Sequence, residues 1–250
     1  IKYKESMKTL VIIPSRLSAS RLPGKPLLKI NGISIISHVF KRAEKANIGE
    51  VIVAAEDQEI VDDIKRNGGN AILTSKNHKT GTDRIQEAYK ILDRSDIDFI
   101  MNIQGDEPEI DIEDIKNLDN KMKINNSKIG TLAAKISNSK IYNNENVVKV
   151  KIGQPFDQNS FPYAENFTRI TKDKKNIYHH IGVYCYEVNV LKQFTSLDQS
   201  KKELENRLEQ FRALENNIDI NVALANTSPI GVDTKEDYLA IKKIMEYKLK

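Results

Sequence analysis

The chain has 250 residues, 39% of them hydrophobic, with 11 glycines, 7 prolines and a single cysteine, Cys185. That is enough apolar material for a sizeable core, and it excludes disordered, collagenous and disulfide-stapled classes as well as any cysteine-cluster metal site. The net charge of +4 is unevenly placed: no Asp or Glu lies between Glu5 and Glu44, while Lys8, Arg16, Arg21, Lys25, Lys29, Lys41 and Arg42 give that stretch +7.

No apolar run approaches the ~20 residues needed to span a bilayer, and the start lacks a signal-peptide apolar region. A cytoplasmic protein without a membrane partner is expected. A nucleic-acid partner is not, because the cations concentrate in one loop instead of spreading along a face with aromatics between them.

Residues 1–6 precede Met7 and read as an extension outside a single domain over 7–250. Thr9 to Pro14 is a buried, β-branched run that predicts a parallel strand. Ser34 to Ala46 carries a helical stripe of Ile35, Ile36, Val39, Phe40 and Ala43. Glu50 to Ala55 predicts a strand, Gln58 to Asn67 a helix stopped by Gly68 and Gly69, and Ala71 to Thr74 a strand. Thr82 is placed to cap a helix reaching Leu92. Phe99 to Ile103 predicts a fourth buried strand, followed by a polar turn. This alternation predicts a Rossmann-like α/β fold, a mostly parallel sheet flanked by helices. Beyond Asn125 the pattern is mixed α+β, with strands at Thr131–Ile136, Val147–Ile152, Tyr178–Tyr186 and Ile220–Ala225. Helices are predicted at Glu203–Glu215 and Lys235–Tyr247, and 153–175 is the least readable stretch.

The loop after the first strand, Pro14 to Pro26, sits at the carboxyl end, where open α/β sheets bind ligands. It is not a Walker A loop, because Ala19 and Pro26 stand where Gly and Ser/Thr are required, and no GxGxxG is present. Arg16, Arg21 and Lys25 within ten residues, separated by small Ser and Ala, suit a nucleoside triphosphate: guanidinium groups fork phosphate oxygens and Lys acts as a point charge. A solvated basic loop is the competing reading. Asp106, just past a buried strand, and Asp233, in a second loop, are either helix caps or hard oxygen ligands for Mg²⁺. Glu107 is expected to face solvent. His78, Thr80, Gly81, Thr82 and Arg84 read as a capped helix start with a surface histidine, and Gln104 offers a donor and an acceptor.

Arg16-x-x-x-x-Arg21-Leu22-Pro23-Gly24-Lys25-Pro26-Leu27 resembles the signature of the sugar-activating cytidylyltransferases, most closely those acting on 3-deoxy-manno-octulosonate (Kdo). Five further blocks follow in register, from Asn77 to Arg84, Asn102 to Pro108, Tyr178 to Tyr184, Leu208 to Arg212 and Gly231 to Thr234. The resemblance implies CMP transfer from CTP to an acid sugar of lipopolysaccharide, with Mg²⁺ as cofactor, and a homodimer. By residue it implies Arg16, Lys25 and Asp106 as catalytic and Asp106 with Asp233 as metal ligands. It implies Arg16, Arg21, Lys25, His78, Thr80, Gly81, Arg84 and Gln104 at CTP. Sugar contacts are implied for Gln104 and, within a sugar-binding and dimerisation portion over roughly 140–220, for Arg169, His180, Tyr184, Glu209 and Gln210. From pattern alone His180 reads as a core histidine, and Glu209 with Arg212 as a solvated helix face. The chain keeps Arg169 but departs from the family pattern after it, where Ile170-Thr171 is followed by Lys172-Asp173 in place of an Ile-Pro pair, and at Asn206 and Arg207, where acidic or apolar residues are usual. A related acceptor, such as an amino-substituted Kdo or a sialic acid, and a non-catalytic nucleotide-binding module remain alternatives.

Overall fold

The computed structural model describes residues 7–154 and 156–248; the extension over 1–6 lies outside the described residues. The chain divides into two compact units.

The first unit comprises 8–97, 101–112 and 229–250. Its strands are β1 (Thr9–Ser15), the short hairpin β2 (Lys29–Ile30) and β3 (Ile33–Ser34), β4 (Gly49–Ala55) and β5 (Ala71–Leu73). The end of β6 (Phe99–Asn102) belongs here too, and the sheet runs β6-β1-β4-β5. β1 pairs with β4, and β4 with β5, in parallel. Leu10 to Ile13 and Ile52 to Ala55 are buried along both pleat faces, as a parallel strand covered on two sides requires. The cover comes from α1 (Ile35–Ala46), α2 (Gln58–Arg66) and α3 (Gly81–Leu92). Ser34 caps α1, and its hydroxyl is held with that of Ser37 by the buried Asp63 of α2.

Helix α3 begins earlier than the sequence suggests: Thr80, in extended backbone, accepts the amide of Asp83, while Thr82 is buried inside the first turn. The closing helix matches the predicted span. Numbered α8 (Lys235–Tyr247), it opens on a capping box between Thr234 and Asp237. Val232, Ile241 and Met245 pack with Ile30 and Ile35 in one apolar cluster, which fixes the approach of the chain into α8.

The second unit comprises 98–100 and 113–228. Its strands β7 (Ile129–Ala134), β8 (Lys149–Ile152), β9 (Ala164–Thr168), β10 (Ile177–Glu187) and β11 (Ile220–Leu224) form a mixed arrangement. β11 and β7 are parallel; β7 with β10, β10 with β8 and β8 with β9 are antiparallel. Elements not legible in the sequence include α4 (Ile112–Asn125), whose apolar stripe is interrupted by buried Asp114, Asp119 and Lys121, strand β9, and α5 (Val188–Ser196). The single helix predicted over Glu203–Glu215 is two: α6 (Lys201–Asn206) and α7 (Gln210–Glu215). Arg207 breaks it in the left-handed region at φ 53°, and the orphaned end is satisfied by the amide of Leu208 on the Glu203 carbonyl.

Candidate functional site

At the carboxyl ends of β1 and β6 the first unit forms an open cleft of about 370 Å³. Its wall includes Ser15, Arg16, Ser18 to Arg21, Lys25, His78 to Gly81, Arg84, Gln104 to Asp106 and Asp233. These come from stretches far apart in the chain, and local rules put them there. Gly24, at φ 71°, turns the loop into a short 3₁₀ turn over Lys25–Leu27 with Pro26 inside it. Gly105 suits its place for a different reason: a Cβ there would lie 2.9 Å from Ile36 Cδ1 and 3.1 Å from the Pro14 carbonyl, so a side chain would have to push both aside. The amide of Val232 donates to the Asp106 carbonyl at 2.8 Å, which brings Asp233 alongside Asp106.

Lys25 Nζ then sits 2.7 Å from Asp106 Oδ2 and 3.2 Å from Asp233 Oδ1, and Arg21 Nη2 is 3.2 Å from Asp233 Oδ2. Burial works to lower the Lys25 pKa, but the charges and hydrogen bonds of the two carboxylates outweigh it and the pKa is raised. Neither Asp is a helix cap: α8 is capped by Thr234, and α4 starts well beyond Asp106.

Glu107 does not face solvent. Its Oε2 is buried without a hydrogen-bond partner, and burial, reinforced by the charges of Asp106 and Asp233, raises its pKa to about 8.

His78 contacts Glu87, whose carboxylate also accepts the Ser75 amide; burial opposes the shift, but these contacts lower its pKa. Arg84 lines the cavity with its guanidinium already engaged: it pairs with Glu56, and Nη1 donates to Thr74 Oγ1 at 2.7 Å and the Ser75 carbonyl at 3.0 Å. Arg16 is exposed on the wall.

The other predicted residues lie in the second unit. His180, in β10, is buried; its Nε2 is 3.0 Å from the hydroxyl of Thr131, which donates to the Val183 carbonyl at 2.7 Å. Burial, with a smaller push from His179, pulls the His180 pKa down to about 3. Its ring stands edge-on to Phe167 and 5.4 Å from that of Tyr184, whose phenol pKa burial drives up. The register of β10 slips between Ile181 and Tyr184, an irregularity that separates the pairing of His180 from that of Tyr184.

Arg169 donates through Nε to the Asn206 carbonyl, through Nη1 to Glu145 and through Nη2 to Arg207, all at 3.0–3.1 Å. Residues 206 and 207, where the chain departs from the family pattern, thus supply the carbonyls that hold Arg169. The solvated face expected for Glu209 and Arg212 is absent. Arg212 is 2% exposed and paired bidentately with Glu203, because the αL break turns α7 inward. Glu209 Oε1 lies 3.9 Å from Arg212, and Gln210 is buried at the start of α7. Sequence reasoning missed Glu56 and Asp57, although two acids directly after a buried strand repeat the signal that marked Asp106.

A cytidylyltransferase family model matches residues 10–220. The chain belongs to the cytidylyltransferase family. The 3-deoxy-manno-octulosonate cytidylyltransferase of Afipia carboxidovorans is 42% identical over 240 residues, covering 95% of this chain and 96% of the relative. That of Brucella canis is 40% identical over 236 residues, covering 93% and 94%. Among solved structures, CMP:2-keto-3-deoxy-manno-octonic acid synthetase complexed with CTP superposes with a TM-score of 0.86 at 32% identity, over 96% of this chain and 99% of that one. A Leptospira borgpetersenii cytidylyltransferase, 18% identical with a TM-score of 0.63 over 96% of this chain and 87% of its own, shares the fold. This cytidylyltransferase therefore has the family's mostly parallel, mixed α/β sheet flanked by helices, and no helix among its described residues is long and apolar enough to cross a membrane.

Proposed function

We propose that this cytidylyltransferase transfers CMP from CTP to the anomeric hydroxyl of Kdo and releases pyrophosphate, with Mg²⁺ as cofactor. The observation that carries the reading is the convergence of Lys25, Asp106 and Asp233 at a cavity whose wall also presents Arg16 and Arg21. Relatives named for Kdo supply the acceptor.

Among the described residues no group of three or more His, Cys, Asp or Glu side chains forms a metal cage. Two carboxylates from separate loops do meet on one cationic atom, the Lys25 ammonium, and this donor set fits Mg²⁺, which takes one or two carboxylates and completes its shell with phosphate oxygens and water. Bound there, the ion would neutralise charge at the α-phosphate and acidify the acceptor hydroxyl.

The acceptor oxygen bonds to the α-phosphorus as the bond to the β-phosphate oxygen breaks; the hydroxyl proton leaves to solvent and pyrophosphate departs. Arg16, Arg21 and Lys25 hold the β- and γ-phosphates and offset the charge that grows on the leaving group. Thr80 and Gly81, at the positive end of α3, with His78 and Gln104, wall the nucleotide. The acid sugar is read by Arg169, His180, Tyr184, Glu209 and Gln210 of the second unit, with His180 neutral and able only to share hydrogen bonds.

The test is pyrophosphate release from each of the four ribonucleoside triphosphates, with and without Kdo and Mg²⁺. Release that needs CTP, Kdo and Mg²⁺ together is expected. Release with a sialic acid or amino-Kdo but not Kdo reassigns the acceptor, and CTP binding without turnover on any acid sugar overturns the reading.

A further inference from the structure

Where β4 ends the chain places two acids in succession, Glu56 and Asp57, which lie outside the set just described. Asp57 occupies the N-cap of α2, where an Asp ordinarily accepts an amide of the first turn. The caps of α1, α3, α6 and α8, at Ser34, Thr80, Ser200 and Thr234, all make that bond. Asp57 makes none. Its Oδ2 instead accepts the amide of Leu17 at 2.8 Å, across from the loop that follows β1.

Leu17 is the pivot of that loop. Its carbonyl receives the amides of Ala19 and Gly24 at 2.9 and 3.0 Å, so fixing Leu17 fixes the turn between Arg16 and Lys25. The next residue is held in the same way: the Ser18 hydroxyl donates to Glu56 Oε1 at 3.2 Å. Glu56 is buried, and Arg84 compensates its charge from within α3.

We propose that Asp57 and Glu56 are positioning residues that hold the loop at Leu17 and Ser18, so that its cations and amides face the cavity before the nucleotide arrives. The inference rests on the reading that this cavity takes the triphosphate of CTP. The physical argument is preorganisation: a loop of small, exposed residues held in its binding conformation loses less freedom when ligand binds. An acid placed beside a polyanion site is otherwise unfavourable, and here each carboxylate is turned away onto a loop amide or hydroxyl. α2 gives up its cap bond in exchange, as expected where function and local stability compete.

The experiment compares wild type, Asp57→Ala, Asp57→Asn and Ser18→Ala by calorimetric titration with CTP, by KM for each substrate, and by thermal melting. Asp57→Ala is expected to weaken CTP binding about tenfold, the scale of one charge-assisted hydrogen bond, with the KM for Kdo and the melting temperature unchanged. Asp57→Asn restores CTP binding, because its carbonyl oxygen accepts the same amide. Ser18→Ala weakens CTP binding while leaving the Glu56–Arg84 pair in place. The inference is overturned if Asp57→Ala binds CTP as wild type does, or if it lowers the melting temperature and weakens both substrates alike, which is the behaviour of a structural cap. A wild-type protein that neither binds nor turns over CTP overturns the functional reading and this inference with it.

Discussion

Lys25 Nζ lies 2.7 Å from Asp106 Oδ2, and this contact joins the loop after β1 to the turn after β6 at the one place where Asp233 also arrives. The ammonium stands where a divalent cation would share the same two carboxylates. For Lys25 to meet a phosphate, and for the acids to take a metal ion, Lys25 must leave the pair.

Replacing Lys25 by Met therefore has two consequences of opposite sign. Turnover falls about 100-fold or more, the scale of losing a main electrostatic stabiliser. Mn²⁺ binds the nucleotide-free variant about tenfold more tightly, as when a competing state populated roughly nine-tenths of the time is removed. Paramagnetic titration of Mn²⁺ against wild type, Lys25→Met and Arg16→Met checks the second point. Equal tightening in Arg16→Met would reduce it to a general field effect, because Arg16 is not among the groups paired with these acids.

Asp106→Asn and Asp233→Asn keep the shape of each side chain and remove its charge. Both are expected to lower CTP turnover ~100-fold and to abolish Mn²⁺ binding in the same titration. Turnover within threefold of wild type for either variant removes that residue from the metal set.

The Glu203–Arg212 pair lies under the start of α7, at 3% and 2% exposure, with Arg212 also 4.8 Å from the Phe194 ring. Burial acts to raise the Glu203 pKa, but the bonds from Arg212 and the Ser200 amide keep it below the ordinary value. Arg212→Met leaves that carboxylate buried without its counter-charge and should destabilise the fold by about 3–5 kcal/mol in urea denaturation. A loss below about 1 kcal/mol would show that the pair behaves as a surface ion pair.

Acid should weaken the second unit through His180. Its folded pKa, about 3, lies below the ordinary value of 6.5, so the unfolded chain binds more protons between those two values. The stability this burial leaves intact is fully present above pH 6.5 and falls as the pH drops towards 3, by about 1.4 kcal/mol per pH unit in that window. Denaturation curves at pH 7, 6, 5 and 4 for wild type and His180→Gln measure it. A variant slope as steep as that of wild type would assign the acid sensitivity to other groups.

The parallel half of the fold was legible because β1, β4 and β6 are continuous apolar runs and α1 and α3 carry clear stripes, so local pattern and tertiary burial agree. α4 escaped because its buried face includes Asp114, Asp119 and Lys121, which interrupt the apolar stripe: Asp119 is paired within the helix by Lys123, and Asp114 accepts the amide of Asn226, far away in sequence. The long helix drawn over Glu203–Glu215 failed at Arg207, which carries no glycine or proline to announce a left-handed residue. The extended segment at β9 was unreadable because its pairing with β8 is long-range.

The sequence by itself determined the chemistry on offer: a stretch of +7 with three loop cations after the first strand, acids placed after later strands, and blocks in the order of one enzyme family. Tertiary structure decided which groups meet. Asp233 reaches Asp106 because the Val232 amide bonds the Asp106 carbonyl and the cluster around Ile35 and Ile241 anchors α8. Glu107 is half-buried, with its Oε2 sealed from solvent where exposure was expected, and Arg84, which reads as a nucleotide contact, pairs with Glu56. Charge and residue type are local properties of a chain. Burial and partnership depend on backbone hydrogen bonds and apolar contacts between segments far apart in it, and those no local pattern encodes.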